Sequence, residues 1–477
     1  MQIKQFDLSS GKLLSMKKHY ACFVVLVLIA FKPISAQVER TKNWYFGQNV
    51  ALQLNDTLFP TLLSNSQIST PGGCASISDT SGQLLFYTNG ETIWNGNNNV
   101  MINGSGLAGN GNASQSSLIV PDPGNSNQYY VFTIDASCSN ILHYSIVDMS
   151  MVGGLGAVTQ SNIALDSNMI QKITGMANST SNGYWVITHN DLGTSFYAYP
   201  VTSSGVGVPV ISNTGTVVSA GNCTGVLKAS PKGNRLAMTY PALNGFELYG
   251  FDNSTGIVYN AMFIGNTLTD ATFGCEFSPN GNYIYCNAVT AGITPPTIYQ
   301  FDATLASAAS IDSSKIQVGF SQNPFVYTSM QLGLDGKIYC AGTNRDYISF
   351  IQQPDNAGFA CNYVENAFYL GGNVTQNGLP NFINTYFSSL TSTKNENSTD
   401  YFSLYPNPTK DFLVVEINNS INFTVDIFDL AGKQVTLKEE KFRRGKKFDF
   451  NSLKSGIYFL KLHTENMTTT KKIIVVK

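Results

Sequence analysis

One pattern returns along most of this 477-residue chain and restricts what it can become: an alternating strand, a glycine-containing turn, then an aromatic-rich strand. The first copy runs Cys74–Asp79, Thr80–Gly82, Gln83–Tyr87, and the second Leu118–Gly124, then Gln128–Asp135. A third passes through Asn182-Gly183 into Tyr184–Thr188. The fourth and fifth turn at Ser230-Pro231-Lys232-Gly233 and Ser278-Pro279-Asn280-Gly281, and the sixth at Asp335-Gly336. Each is a hairpin signal, with strand alternation on both sides of a Pro, Asp, Asn or Gly turn.

Equivalent turns lie roughly 45 to 57 residues apart, the length of a four-stranded propeller blade or slightly more. Such a sheet buries both faces only by stacking against neighbours around an axis. The reading is an all-β chain with a propeller of six to eight blades, seven preferred. The seventh is assembled by pairing Trp44-Tyr45-Phe46 with Asn381-Phe382-Ile383, which hides both edge strands. A sandwich array or β-helix is the competing architecture. Composition agrees: charged residues are 12% of the chain and aromatics 12%, in a background of Asn, Ser, Thr and Gly that favours strands and turns. The net charge of -2 supplies no basic field for nucleic acid and no polybasic membrane patch.

Both ends carry addressing signals. Lys17-Lys18-His19 precedes the apolar run Ala21–Phe31, and Ala36 offers a small residue for cleavage, so residues 1–36 read as a signal peptide. Met16, just before the positive region, is an alternative start. The apolar run is short for a membrane span, an uncleaved anchor is the rival reading, and no second run of that kind follows. After Phe387 the composition turns polar, giving a propeller-like domain at 37–388 and a linker at 389–401. Residues 402–477 then show about seven short strands, an Ig-like β-sandwich pattern.

This tail begins Tyr405-Pro406-Asn407-Pro408, continues through Val425–Lys433 with Gly432, and ends in Gly456-Ile457-Tyr458-Phe459-Leu460-Lys461 and Lys471–Lys477. In order and spacing it resembles the type A sorting domain of the Bacteroidetes type IX secretion system. The resemblance implies a periplasmic intermediate, contact with the secretion machinery through 402–477, passage across the outer membrane, and removal of the module during attachment or release. An ordinary fibronectin-like accessory domain is the alternative. The large domain likewise resembles an exported β-propeller of the same bacteria, through Trp44–Gly47, Gly73–Asp79, Leu85–Gly90, Ser114–Pro121 and Gly378–Phe382; that resemblance implies no established chemistry.

Chemistry is sparse. His143 and His189 match no metal spacing, no Cys-x-x-Cys occurs, and no Gly-x-Ser-x-Gly elbow is present, so no metal or cofactor is expected. Met151–Gly156 lacks the ending of a phosphate loop. Seven cysteines follow Ala36, an odd number that leaves at least one unpaired. Cys275 and Cys286 flank a turn and could face each other, as could Cys340 and Cys361, while burial as small apolar side chains is the plainer reading. Asp79, Glu91, Asp135, Glu247 and Glu276 are the acids a glycosidase or lyase would draw on, and alternation could aim Glu276 at a central channel. Trp44, Trp94 and Trp185 could stack on sugars or simply pack the sheets. The richest loop holds Asn89, Glu91, Trp94 and Asn95, and these are the expected ligand contacts. Glycan or protein binding at the surface is preferred over a carbohydrate-active enzyme or a structural part of the motility or envelope machinery.

Overall fold

The computed structural model describes residues 37–477 apart from 56–58, 266, 269, 289–295, 321–326, 392–401, 418–422, 430–432, 443–444 and 464–467. The expected signal peptide and its cleavage residue Ala36 lie outside the described residues. Seven blades surround an axis. Blade 1 has three strands, Asn43–Phe46, Val50–Gln53 and Thr61–Leu63. Blades 2 to 7 begin with the inner strands Ala75–Ser78, Ser117–Pro121, Met169–Ala177, Leu227–Ala229, Cys275–Phe277 and Tyr327–Leu332, and each meanders outward through at least three more. Successive inner strands touch around the ring, from Asn43–Phe46 on. Blades 1 and 7 close it through a shared core in which Trp44 meets Tyr339 edge to face at 5.1 Å.

The repeat has a single geometric cause. Each of the six turns joins the first strand of a blade to its second, and four of them share one hydrogen bond. Gly82, Gly233, Gly281 and Gly336 donate their N–H to the carbonyl three residues back, at 2.8–3.0 Å, with φ between 69° and 85°. Only glycine reaches that left-handed backbone without strain, which is why the turn is written the same way each time. The aromatic strand that follows becomes the second strand, packed on both faces; Phe86, Phe132 and Tyr285 are fully buried.

Two expectations change. Asn381-Phe382-Ile383 forms no ladder with Trp44-Tyr45-Phe46. Phe382 packs its ring on Trp44 at 5.8 Å, while the backbone bridges in parallel to inner strands elsewhere, Pro380 to Cys74 and Ile383 to Gly175. Periodicity sees strand-forming residues but not which edge they meet. Blades 2 and 3 also join at their outer edges, Ile102 beside Ala157, into one eight-stranded sheet.

The C-terminal module is a sandwich of two four-stranded sheets, one strand more than the periodicity suggests. Its core includes Leu413, Val415, Phe448, Leu460, Leu462 and Ile473. Among the described residues no helix is long and apolar enough to cross a membrane.

Candidate functional site

The axis of a propeller is the usual place to seek a ligand, and here the chain fills it. Asn377 donates its N–H to Pro71 before the first residue of an inner strand, and Asn381 donates to Cys74 at 2.9 Å. The Asn381 amide then reaches Ser117 and Ile173 carbonyls, and the Asn384 amide reaches Ala229 at 2.7 Å. Thr385 Oγ1 accepts from Ala177 N at 2.7 Å, at the far end of its inner strand. The segment therefore runs the length of the axis and ends in the 3₁₀ helix Asn384–Thr391. Close approach demands glycine beside it: a Cβ on Gly378 would lie 2.0 Å from the Gly72 carbonyl, and one on Gly175 2.5 Å from Ile383 Cδ1.

Polar side chains of the inner strands complete the filling. Gln115 accepts from Leu227 N at 2.8 Å and Ile173 N at 3.2 Å, linking three blades. Lys228 pairs with Glu276 at 3.0 Å and donates to Gln331 at 2.6 Å, and both ionic groups are buried. Burial pushes the Glu276 carboxyl up, against the pull of Lys228 and of the Phe277 and Leu332 N–H groups. Lys172, fully buried, donates to Asn222 and Thr239 carbonyls and sits over the Tyr240 ring; burial brings it down to about 7. Such groups need every partner they have. Glu276 does lie among the inner strands, as alternation suggested, but as half of a closed ion pair.

The other acids are separately committed. Asp79 caps its own turn, accepting from Ser81 and Gln83; partial burial opposes ionisation, but those bonds and the charge of Arg40 prevail and hold it below the usual range. Asp135 accepts from Asn110 and Ala136. Glu247 is buried and accepts from Tyr249 at 2.6 Å and Tyr240 at 3.1 Å. Met151–Gly156 makes a turn whose first four residues are exposed.

The structure places Asn89 and Glu91 in the turn before the strand Thr92–Asn95 and Asn95 at its far end, where the next turn begins, and both asparagines are buried. Asn89 Oδ1 accepts from Glu91 N and Thr92 N, Asn95 Oδ1 from Asn97 N and Asn99 N, and Glu91 from Gly111 N at 2.8 Å. Trp94 is half-buried and ends a stack in which Tyr45 meets Tyr87 at 4.1 Å and Tyr87 meets Trp94 at 5.4 Å. Trp44 and Trp185 are buried.

Sequence reasoning missed a cleft of about 360 Å³ walled by Ser139, Asn168, Asn190, Asp191, Leu192 and Tyr197. It lies beside the loop that holds Cys138, whose disulfide to Cys223 spans 85 residues and ties blade 3 to the approach of blade 5. Leu192 is 71% exposed with a φ of 55°, and Asn168 is also left-handed. An exposed leucine held in that backbone is uncommon and marks a segment fixed by its surroundings. Its signal was there to find, as Asn190-Asp191-Leu192-Gly193 between two strands. His189, one residue away, is buried edge-on to Phe196 at 4.6 Å, and burial, reinforced by Lys172, brings it down to about 4 despite its bond to the Asn190 carbonyl.

In the C-terminal module, Tyr405-Pro406-Asn407-Pro408 joins the two sheets. Asn407 Oδ1 accepts from Ile474 N at 2.8 Å, and Thr409 N donates to the Ile474 carbonyl at 2.7 Å. Gly456 opens the strand Gly456–His463, and the Tyr458 hydroxyl donates to the Lys454 carbonyl. Gly432 lies outside the described residues. Residues 403–476 match a family described as the secretion system C-terminal sorting domain.

The tail is a type IX secretion sorting domain. A chain carrying it is exported to the cell surface or the extracellular space, and the tail is its contact with the secretion machinery. No curated protein matches the chain. Among solved structures, Kluyveromyces lactis Hsv2 aligns at 11% identity with a TM-score of 0.38, over 65% of this chain and 90% of that one. A Bacteroides fragilis protein provisionally named a 6-phosphogluconolactonase aligns at 10% identity with a TM-score of 0.45, over 71% and 97%. Kuenenia stuttgartiensis hydrazine synthase aligns at 11% and 0.38, over 66% and 92%.

Proposed function

We propose that this chain is a surface or secreted binding protein whose propeller, residues 37–388, holds a glycan through its outer loops. In this reading the signal peptide at 1–36 starts export, the linker 389–401 spaces the two domains, and 402–477 completes export. The observation that carries it is the filled axis: with Gln376–Phe387 and the Lys228–Glu276 pair packed between the blades, ligand contact falls to the rim. The cleft at Asp191 offers what a sugar needs, an aromatic wall in Tyr197 with amides and a carboxylate around it. Trp94 is the second aromatic candidate, since its hairpin commits its amides to turns and leaves the ring as the contact. Asp79, Asp135, Glu247 and Glu276 are each engaged by turn, loop or core partners, so binding is favoured over turnover.

The test is a glycan array with a polysaccharide-turnover screen on the exported protein, alongside Tyr197→Ala and Trp94→Ala. Binding without product, weakened about tenfold or more by Tyr197→Ala, supports the cleft, since one stacking aromatic contributes on the order of 1–3 kcal/mol. Loss confined to Trp94→Ala moves the site to the hairpin. Product release, or no glycan bound at all, overturns the reading.

A further inference from the structure

We propose that Cys275 and Cys286 are a disulfide-forming pair, closed in the exported protein across the first two strands of blade 6. The two residues are direct register partners in the antiparallel pair Cys275–Phe277 and Tyr283–Ala288. Their position in the ladder is the informative part. Asn287 N donates to Gly274 O at 3.1 Å and Ser278 N to Tyr283 O at 2.9 Å. Hydrogen-bonded pairs therefore fall at 274/287, 276/285 and 278/283, and Cys275/Cys286 occupies a non-hydrogen-bonded site between two of them. Such sites bring opposed Cα atoms to about 4.5 Å with side chains on the same face, inside the roughly 4.4–6.8 Å over which a disulfide closes. Both side chains are fully buried in one core, and the thiols lie within hydrogen-bonding reach of each other.

The other buried cysteines differ: Cys361 ends the 3₁₀ turn Gly358–Cys361, outside any strand ladder, with its thiol bonded to the Tyr285 hydroxyl. Cys74 has no register partner of its own kind, and Cys340 stands opposite Met330 on one side and Ser349 on the other. Cys138 and Cys223 already form a bridge in this fold, and export carries the chain through compartments where disulfides persist.

The reaction is thiol–disulfide exchange with a protein disulfide of that oxidising compartment. One cysteine thiolate attacks the donor disulfide and displaces a thiolate, forming a mixed disulfide. The second cysteine thiolate then attacks the first sulfur and releases the donor as its dithiol. Two thiols lose two protons and two electrons, and the donor disulfide gains them. Burial pushes the Cys286 thiol well above its ordinary range, so exchange belongs to folding, before blade 6 packs. Once closed, the bridge pins the inner strand that carries Glu276.

The experiment is thiol counting on the exported protein recovered from the producing cells, whose cysteines all lie in the propeller, alkylated in denaturant without reductant and then peptide-mapped. A closed pair leaves three alkylatable thiols, Cys74, Cys340 and Cys361, with the Cys275 and Cys286 peptides linked. Five alkylated thiols with no such link overturn the proposal. Cys286→Ala gives an opposite-sign check: the count rises from three to four if the pair is closed and falls from five to four if it is not.

Discussion

The axis and the rim of this propeller use the same polar residue types in opposite ways. Along the axis, Gln115, Lys172, Lys228, Glu276, Asn381 and Asn384 are buried, and the bonds they make cross from one blade to another. At the rim, Asp79 and Asp252 bond to backbone within four residues of themselves. A rim group removed exposes a turn to water, which replaces the lost bond. An axial group removed leaves a partner with nothing to bond, and that asymmetry dominates the energetics of buried polar groups. The axis thus specifies one closed ring, and the rim is free to vary in what it meets.

The sharpest way to break that contrast is to withdraw the axial segment. A chain ending at residue 375 should lose cooperative folding or melt at least about 10 °C lower, whereas one ending at Thr391 should melt like the full propeller. Calorimetry of the two decides, at roughly 1–2 °C per kcal/mol for a domain of about 350 residues. Equal melting would show the segment to be an ornament.

The ion pair gives the next effect. Glu276→Ala should cost about 3–5 kcal/mol by stranding Lys228, while Lys228→Met with Glu276→Leu should recover most of it. Urea unfolding of both variants reads this directly; a double variant no better than the single one would mean the pair contributes through something beyond charge.

His189 sharpens the comparison through pH. Its folded pKa of about 4 lies below the unfolded value of about 6.5, so the folded state takes up its proton later. The stability this group contributes is complete above pH 6.5 and is lost as pH falls through 4. The expected loss is about 3 kcal/mol across that window. His189→Phe, which keeps a ring against Phe196, should flatten the curve between pH 6.5 and 4; an unchanged slope would assign acid sensitivity to other groups.

At the rim the effect should be smallest. Asp79→Ala removes three turn bonds, from Ser81 N, Ser81 Oγ and Gln83 N, and should cost no more than about 1 kcal/mol because water replaces them. A loss comparable to that of Glu276→Ala would erase the distinction between the two regions.

Much of this was legible in one dimension because its causes are local. The left-handed glycine at Gly82, Gly233, Gly281 and Gly336 follows from each turn's own backbone, so the repeat announced six of the blades. The facing of Cys275 and Cys286 likewise follows from a turn of known length and a period of two. The sorting tail was legible because its motif residues, such as Asn407 reaching Ile474, act within one small module.

The remainder needed three dimensions. Nothing near Asn381 in sequence says that its amide will meet Ser117 and Ile173, or that Cys138 will find Cys223 across a whole blade. Glu276 read from its strand was a candidate acid, and only Lys228, brought in from another blade, made it a structural one. The cleft at Asp191 exists because loops from blades 3 and 4 converge there. Periodicity is a property of neighbours in the chain, whereas burial and pairing are properties of neighbours in space. Sequence alone therefore determined the blades, their turns and the export tail, and the closed tertiary ring decided what fills its axis and which surface is left to bind.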